Sequence, residues 1–308
     1  MISRRNIRVK VMQTLYTLEA QEGPGTPGEP GRILQKHFDQ SRQLLTYLIY
    51  CVTEVARYVE TDSRFRASKH LPSEHDLHVD IKLAGNEQLW KILEDQSWKS
   101  AVAADKPHLQ DNRELIRRLY GELVGTEEYR NYLAVEGREK RSEKEILEFI
   151  FSGILLPNET FLNHIEELFS NWDDDGEMLC QLVMSYIAKP GSLNFQEIVT
   201  GDKLVFANQL LETVLEKKEV VLDLIRPRLT NWDVERIATL DMILMQMGVA
   251  EFLYFETIPP KVTINEYIDL AKDYSTPQSG QFVNGILDNI HKDLVREDKM
   301  HKVNFKAN

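Results

Sequence analysis

The sequence has little of what several classes of protein require. It contains two cysteines, Cys51 and Cys180, which lie far apart in apolar surroundings, so no disulfide framework is predicted. No apolar run approaches the ~20 residues that span a bilayer. The opening arginines lead into a charged helical pattern, without the apolar region that a signal peptide needs. We therefore expect a cytoplasmic protein with reduced thiols and no membrane segment.

Signs of β-structure and of catalysis are also scarce. Period-two alternation of β-branched residues is nearly absent, and the sequence contains no Walker loop, nucleophile elbow or HExxH motif. His70, His75 and His78 form a loose group that is more typical of surface residues than of zinc ligands. The sequence therefore predicts no catalytic residue, no cofactor and no metal site, and we do not expect an enzyme.

Positive charge is in deficit overall, because 37 lysines and arginines face 49 acidic residues and give a net charge of −12. Such a balance argues against broad, nonspecific binding of nucleic acid, which depends on phosphate neutralisation. The first 20 residues are the exception, since Arg4, Arg5, Arg8 and Lys10 are opposed there by Glu19 alone. Any contact with RNA should be small and positioned by geometry.

Helical periodicity, by contrast, runs along most of the chain. It predicts a first helix over Arg4–Ala20, followed by a proline- and glycine-rich linker over Gly23–Gly31. Further helices are predicted over 33–60, 89–102, 112–123, 143–154, 160–169, 177–188 and 203–229. The predicted fold class is all-α.

Three further helical features are predicted near the C-terminus. Asp233 is placed to cap an apolar helix that should be central and buried. Thr263 and Glu266 have the spacing of a capping box for the next helix. Thr276 and Pro277 predict the start of the last helix, since proline is favoured in a first turn.

The arginines of the first helix admit two interpretations. They oppose the positive end of the helix dipole, so helix stability does not explain them. Arg8 projects to nearly the same side as the apolar Val11 and Leu15, whereas Arg5 and Lys10 fit a solvated face. Either the guanidinium groups bind an anion such as a phosphate, or the arginines are ordinary surface charge at a chain terminus.

The last helix also admits two interpretations. Phe282 lies at the edge of an apolar stripe that begins at Val283, and a partly exposed aromatic can stack on unpaired bases. Gln281 and Asn284 could read base edges. Gly285 is costly within a helix, by ~1 kcal/mol, and suggests close approach of another helix or of a ligand. The alternative is that Phe282 is peripheral core and Gly285 a packing contact.

Taken together, these segments resemble a known family. The opening Arg4–Tyr16 segment is followed, far along the chain, by three blocks in a fixed order: Val262-x-Ile-Asn-Glu266, Leu270-Ala-Lys272 and Phe282-Val-Asn-Gly-Ile-Leu287. This order resembles the NusB family of bacterial transcription antitermination factors. The resemblance implies a helical bundle that binds boxA-like single-stranded RNA together with NusE, a ribosomal protein, in the antitermination complex of RNA polymerase.

The resemblance also implies which residues contact RNA. Arg4, Arg5 and Arg8 match the family's phosphate-contacting arginines, and Phe282 and Asn284 are expected near bases. Ser279 and Gln281 are the weaker candidates for RNA contact.

The resemblance divides the chain into three parts. Residues 1–22 and 201–296 are expected to form the NusB-like RNA-binding core, 32–190 an inserted helical subdomain, and 297–308 a C-terminal tail. An alternative function follows from the acidic insert and from Leu244-Met245, where the family usually has Leu-Arg. In that alternative the chain is a protein–protein adaptor on a NusB scaffold, with weak or lost RNA binding.

Overall fold

A computed structural model describes residues 2–21, 26–199, 201–229 and 237–303 of the chain. These residues form helices and no strand, which confirms the all-α prediction. The α-helices are α1 (Arg4–Ala20), α2 (Glu29–Ala67), α3 (Glu74–Leu77), α4 (Glu87–Glu94), α5 (Gln96–Asp105), α6 (Arg113–Val124), α7 (Glu127–Ala134), α8 (Lys140–Phe149), α9 (Glu159–Leu168), α10 (Trp172–Ala188), α11 (Gly201–Glu216), α12 (Lys218–Ile225), α13 (Thr239–Tyr254), α14 (Pro260–Tyr274) and α15 (Ser279–Arg296). In the described ranges no helix is both long enough and apolar enough to cross a membrane.

The described residues separate into two compact units. One, which we call the terminal unit, takes its residues from Ile2–His37 and Val199–Asn308; the other, the central unit, takes them from Phe38–Ile198. The predicted partition into core, insert and tail remains a prediction. In the terminal unit the start of the tail packs back on the segment after α13, since the backbone N–H of Val303 donates to the carbonyl of Glu256 at 3.0 Å.

The centre of the terminal unit is α13, which packs against α1, α11, α12, α14 and α15. Every residue from Ile243 to Phe252 is buried, as expected for a helix with hydrophobic residues around most of its circumference. The prediction of a buried central helix is therefore confirmed. Its predicted cap, Asp233, lies outside the described residues.

Three predictions about helix ends in the terminal unit are wrong. Pro277 is not in the first turn of the last helix, because α15 begins at Ser279. Thr263 and Glu266 form no capping box, because α14 already begins at Pro260 and their side chains bond to residues of other helices. The predicted helix over 203–229 is two helices, because the chain turns at Lys217 within an exposed run of charged residues.

Some helices differ in length from the predicted ones. Helix α2 runs over Glu29–Ala67 instead of 33–60 and so includes the end of the predicted linker, and α10 begins at Trp172 instead of residue 177. The expected helix over 89–102 is broken at Asp95, whose carboxylate accepts from the backbone N–H of Ser97 at 3.0 Å and caps α5. Helix α7 is not among the predicted helices, although Thr126 provides its side-chain cap. Helix α8 packs against α4, α7 and α10 and continues into a π-helical segment, Ile150–Leu155.

Candidate nucleic-acid interface

The first turn of α1 presents two arginines to solvent. Ser3 caps the helix by accepting from the backbone N–H of Asn6 at 3.2 Å. Arg4 is exposed, and its guanidinium carbon lies 5.5 Å from the centre of the Phe206 ring. Arg5 donates to Asp273 at 2.7 Å and keeps 39% of its side chain exposed. Such an exposed pair is weak and can exchange for another anion.

Arg8 has a different environment. Its guanidinium bonds to both carboxylate oxygens of Glu251, with Nε–Oε1 and Nη2–Oε2 distances of 2.7 and 3.1 Å. A third bond reaches Glu266 at 3.3 Å, and the rings of Phe206 and Tyr267 flank the group at 5.4 and 5.8 Å. Arg8 is 2% exposed. This geometry joins α1 to α13 and α14, and gives no support to direct phosphate contact by Arg8.

Glu251 is the carboxylate on which these helices converge. It is fully buried and also accepts from the hydroxyls of Thr263 and Tyr267, at 3.0 and 2.8 Å. Burial, and then the nearby Glu251, raise the pKa of Tyr267 well above its usual value. Burial alone would lower the pKa of Arg8, but the facing Tyr267 and carboxylates outweigh it and hold that pKa above its usual value. Arg8 therefore keeps its positive charge although it is buried, and the cluster serves as a structural anchor.

Lys10 does not lie on a solvated face, contrary to the prediction. It is 1% exposed, in a continuous buried stretch that runs from Ile7 to Met12. The neighbours of Lys10 one helical turn away, Ile7 and Thr14, are buried as well. Helix α1 is thus covered around most of its circumference, and its exposed positive charge is confined to its first turn.

Ser279 lies at the start of α15 and is 1% exposed. Its hydroxyl bonds to the carboxylate of Asp241 at 2.8 Å and to the hydroxyls of Thr276 and Ser275 at 2.8 and 3.0 Å. These contacts fix the α14–α15 turn against the first turn of α13. Ser279 therefore holds the start of α15, the helix that carries Gln281 and Asn284, in position.

One face of α15 is open to solvent. Gln281, Asn284 and Gly285 are exposed and Phe282 is half-buried, whereas the predicted apolar stripe is buried and confirmed; its members are Val283, Leu287, Ile290 and Leu294. A methyl group added at Gly285 would meet no atom within 4 Å. A helix–helix packing role for Gly285 is therefore excluded among the described residues, and approach by a ligand remains the interpretation of this glycine.

The end of α14 contacts both Arg5 and the start of α15, through Asp273 and Lys272. The side chain of Lys272 lies against Gly280, where an added methyl group would come 2.8 Å from the lysine Cγ. Asp273, the next residue of α14, accepts the hydrogen bond from Arg5. We call Arg4, Arg5, Lys272, Gln281, Asn284 and Gly285 the recognition surface: Arg5, Lys272 and the start of α15 meet at the end of α14, and Arg4 is the exposed neighbour of Arg5.

Two important residues of the terminal unit are missed by the sequence analysis. Glu251 is one of two carboxylates in a mostly apolar helix. A buried charge is costly unless it is paired, and Arg8, on the apolar side of α1, is the signal for that partner. Gly248 lets α15 and α14 approach α13, since an added methyl group would lie 2.9 Å from Leu287 and 3.3 Å from Tyr267. No local sequence signal distinguishes this glycine from Gly285.

The structure brings Arg4, Arg5 and the exposed residues of α15 to the terminal unit's surface and buries Arg8 and Ser279 beneath it. An RNA-binding role remains a prediction for the seven residues named from the sequence: Arg4, Arg5, Arg8, Ser279, Gln281, Phe282 and Asn284. Among the described side chains, no three histidines, cysteines or acidic residues group closely enough to hold a metal ion.

Comparison with known proteins gives consistent matches over the C-terminal part of the chain. The NusB family model matches residues 183–292. Transcription antitermination protein NusB of Salinibacter ruber is 42% identical over 97 residues, which are 32% of this chain and 61% of the relative. The corresponding protein of Methylacidiphilum infernorum is 44% identical over 89 residues, 29% of this chain and 62% of the relative.

A third relative is covered more fully. Transcription antitermination protein NusB of Thermodesulfovibrio yellowstonii is 39% identical over 106 residues, which are 34% of this chain and 70% of that protein. The chain thus spans a little under two thirds of the first two relatives and more than two thirds of the third. No solved structure matches the chain. With these identities and this coverage, the chain belongs to the NusB family.

Proposed function

We propose that this protein is a transcription antitermination factor of the NusB type. In this role it binds boxA-like single-stranded RNA together with the ribosomal protein NusE, and acts within the antitermination complex of RNA polymerase. The observation that carries the proposal is the 39–44% identity to proteins named transcription antitermination protein NusB. The role is one of binding, and no catalytic step is assigned.

The geometry of the terminal unit supports this proposal. Arg4, Arg5 and Lys272 supply three cations at the surface of the terminal unit. Arg5 and Lys272 form exposed pairs with the carboxylates of Asp273 and Asp269. Exposed pairs of this kind are weak, so a phosphate can replace the carboxylate. We assign the phosphate contacts to Arg4, Arg5 and Lys272.

The exposed face of α15 supports a role in base recognition. The amides of Gln281 and Asn284 can donate to and accept from base edges, and half-buried Phe282 offers part of a ring for stacking. The open space over Gly285 admits a base or a sugar close to the helix backbone. In this proposal Arg8 and Ser279 hold α1 and α15 in position, and do not contact the RNA directly.

The test is fluorescence anisotropy with a labelled boxA-type RNA and a scrambled RNA of the same composition, each with and without NusE. We expect boxA RNA to bind more tightly than the scrambled RNA, and NusE to increase the difference. Arg4→Ala combined with Arg5→Ala should weaken boxA binding and lower the salt dependence by about 0.7 in log–log slope for each phosphate that is no longer neutralised. Asn284→Ala should reduce the preference for boxA over the scrambled RNA.

Arg296→Ala is the matched control for the arginine variants. Arg296 is an exposed arginine of α15 that pairs with Asp293 at 2.6 Å, at the opposite end of the helix from Gln281. Its removal should leave boxA affinity unchanged. Equal binding of the two RNAs under every condition would contradict the proposal and favour a protein–protein adaptor on a NusB scaffold.

A further inference from the structure

The central unit contains a surface cavity that the NusB-type role does not use. The cavity has a volume of about 510 Å³ and lies between the C-terminal half of α2 and helix α6. This volume is within the ~300–1,000 Å³ of typical ligand sites. The cavity lies outside the segment that matches the NusB family, residues 183–292.

The cavity is rich in arginine although the chain as a whole is acidic. Arg66, Arg117 and Arg118 line it, and among the described residues of its lining only Asp62 is acidic. Arg66 donates to Asp62 at 2.8 Å. Arg117 and Arg118 share one carboxylate outside the lining, that of Glu114, at 2.7 and 3.4 Å. Three guanidinium groups thus face two carboxylates, and the local charge is positive.

The two arginines of α6 are available to a ligand. The side chains of Arg117 and Arg118 are 62% and 64% exposed. Within the part of the chain that the structure describes, each makes a single side-chain hydrogen bond, to the same carboxylate, while a guanidinium carries five N–H donors. Because exposed ion pairs are weak, an incoming phosphate can take the remaining donors or replace Glu114.

Aromatic rings lie beside these arginines. Phe65 is 69% exposed, which is unusual for a large apolar side chain, and it lines the same cavity. Tyr58 and Tyr120 form the wall, with ring centres 5.2 Å apart and planes tilted by 45°. Tyr120 is 4% exposed, so this wall is fixed by packing. An exposed ring beside guanidinium forks is the combination that binds single-stranded nucleic acids, by stacking and by phosphate contact.

We propose that this cavity is a second binding site for single-stranded RNA, independent of base sequence, in which Phe65 stacks on a base and Arg117 and Arg118 hold the adjacent phosphates. The site extends the proposed function, and rests on it only for the class of ligand. RNA is favoured over an acidic peptide because a carboxylate-rich peptide would use the arginines but gain nothing from the exposed ring of Phe65.

The test uses the full chain and a fluorescent oligouridine of about twelve nucleotides, within the site sizes of known single-strand binders. Because this RNA lacks a boxA sequence, its binding reports on a sequence-independent site. Phe65→Ala should weaken oligouridine binding about fivefold or more, because the variant cannot stack on a base. Arg117→Ala combined with Arg118→Ala should weaken it and lower the log–log salt slope by about 0.7 for each phosphate that is no longer neutralised.

Arg141→Ala is the matched control. Arg141 is 79% exposed and pairs with Glu145 at 2.6 Å in an i,i+4 arrangement on α8, so it has the exposure and pairing of the cavity arginines without their position. All four substituted side chains are exposed, and circular dichroism should show unchanged helix content. Oligouridine affinity that falls for the cavity variants and not for Arg141→Ala supports the proposal.

Two results would overturn it. The first is oligouridine binding that is absent, or unchanged by the cavity substitutions. The second is that a labelled oligoglutamate peptide binds to the protein and loses affinity in the Arg117 and Arg118 variant, while oligouridine does not bind. That result would assign the cavity to an acidic protein segment. Arg4→Ala combined with Arg5→Ala separates the two sites, because it should weaken boxA binding and leave the effect of Phe65→Ala on oligouridine binding intact.

Discussion

Helices α13 and α15 pack against each other in the terminal unit and differ in almost every respect. Helix α13 is buried along most of its length, and its two carboxylates, Asp241 and Glu251, bond to Ser279 and Arg8. Helix α15 buries one stripe and leaves Gln281, Asn284 and Gly285 in solvent.

In the proposed function, recognition and support are divided between different side chains. The carboxylates of α13 bond to Arg8 near the start of α1 and to Ser279 at the start of α15, the ends of the helices that carry the exposed arginines and amides. The supporting side chains are buried, and the side chains proposed to read RNA are exposed. Substitutions in the two helices should therefore affect different measurements: stability for α13 and its partners, and RNA binding for α15.

The largest effect is expected from Arg8→Ala. It leaves Glu251 buried without its cation, which should lower the free energy of unfolding by about 3–5 kcal/mol. Chemical denaturation followed by circular dichroism measures this decrease. Arg5→Ala is the control on the same helix, because its exposed pair with Asp273 should contribute only about 0–1 kcal/mol. Equal decreases for the two variants would contradict the anchoring role of Arg8.

Gly248→Ala should have the next largest effect. The added methyl group would lie 2.9 Å from Leu287, so α15 has to shift away from α13. We expect a decrease of about 1–3 kcal/mol in unfolding free energy, typical of overpacked cores. Thermal and chemical denaturation would measure it, and an unchanged or raised stability would show that the α13–α15 packing is loose.

Gly285→Ala, unlike Gly248→Ala, should raise the free energy of unfolding. Space is open around Gly285 and its helix gains a better helix former, so stability should rise by about 0.5–1 kcal/mol. If RNA approaches this backbone, the same variant should bind boxA RNA less tightly. Raised stability with unchanged RNA affinity would remove Gly285 from the recognition surface.

A smaller, pH-dependent contribution to the free energy of unfolding is expected from Lys302, which bonds to the C-terminal end of α13. Lys302 donates to the carbonyls of Glu251 and Phe255, at 2.8 and 2.7 Å, and burial lowers its pKa to about 8. The unfolded value is about 10.4, so between these pH values the unfolded chain binds more protons and the free energy of unfolding rises with pH.

Lys302→Gln isolates this contribution. Denaturation of both proteins at about pH 7 and about pH 9.5 should show the wild type gaining stability relative to the variant at the higher pH. A constant difference between the two proteins would mean that Lys302 titrates as an exposed lysine.

The helices could be predicted from the sequence because their apolar periodicity is local. Helix α1 is bounded as predicted, and the stripe from Val283 to Leu294 is buried as predicted. The breaks were harder to predict, since Asp95 ends one helix and caps the next within an apolar pattern that continues through it.

The candidate site was less predictable because its environment is formed by residues far apart in sequence. Arg8 is buried through a bond to Glu251, 243 residues later. Thr263 and Glu266 match a local capping motif, but their side chains join the same distant cluster. The sequence pattern gave the candidate residues of this region, and the three-dimensional packing determined which of them are exposed.

The most direct test of this division is photo-crosslinking of a 4-thiouridine-substituted boxA RNA to the full-length protein, followed by mass spectrometry of the crosslinked peptides. The proposed recognition surface predicts crosslinks to the first turn of α1 and to residues 281–285 of α15, and none to α13. Crosslinks that arise from boxA RNA but avoid both of those segments would contradict it.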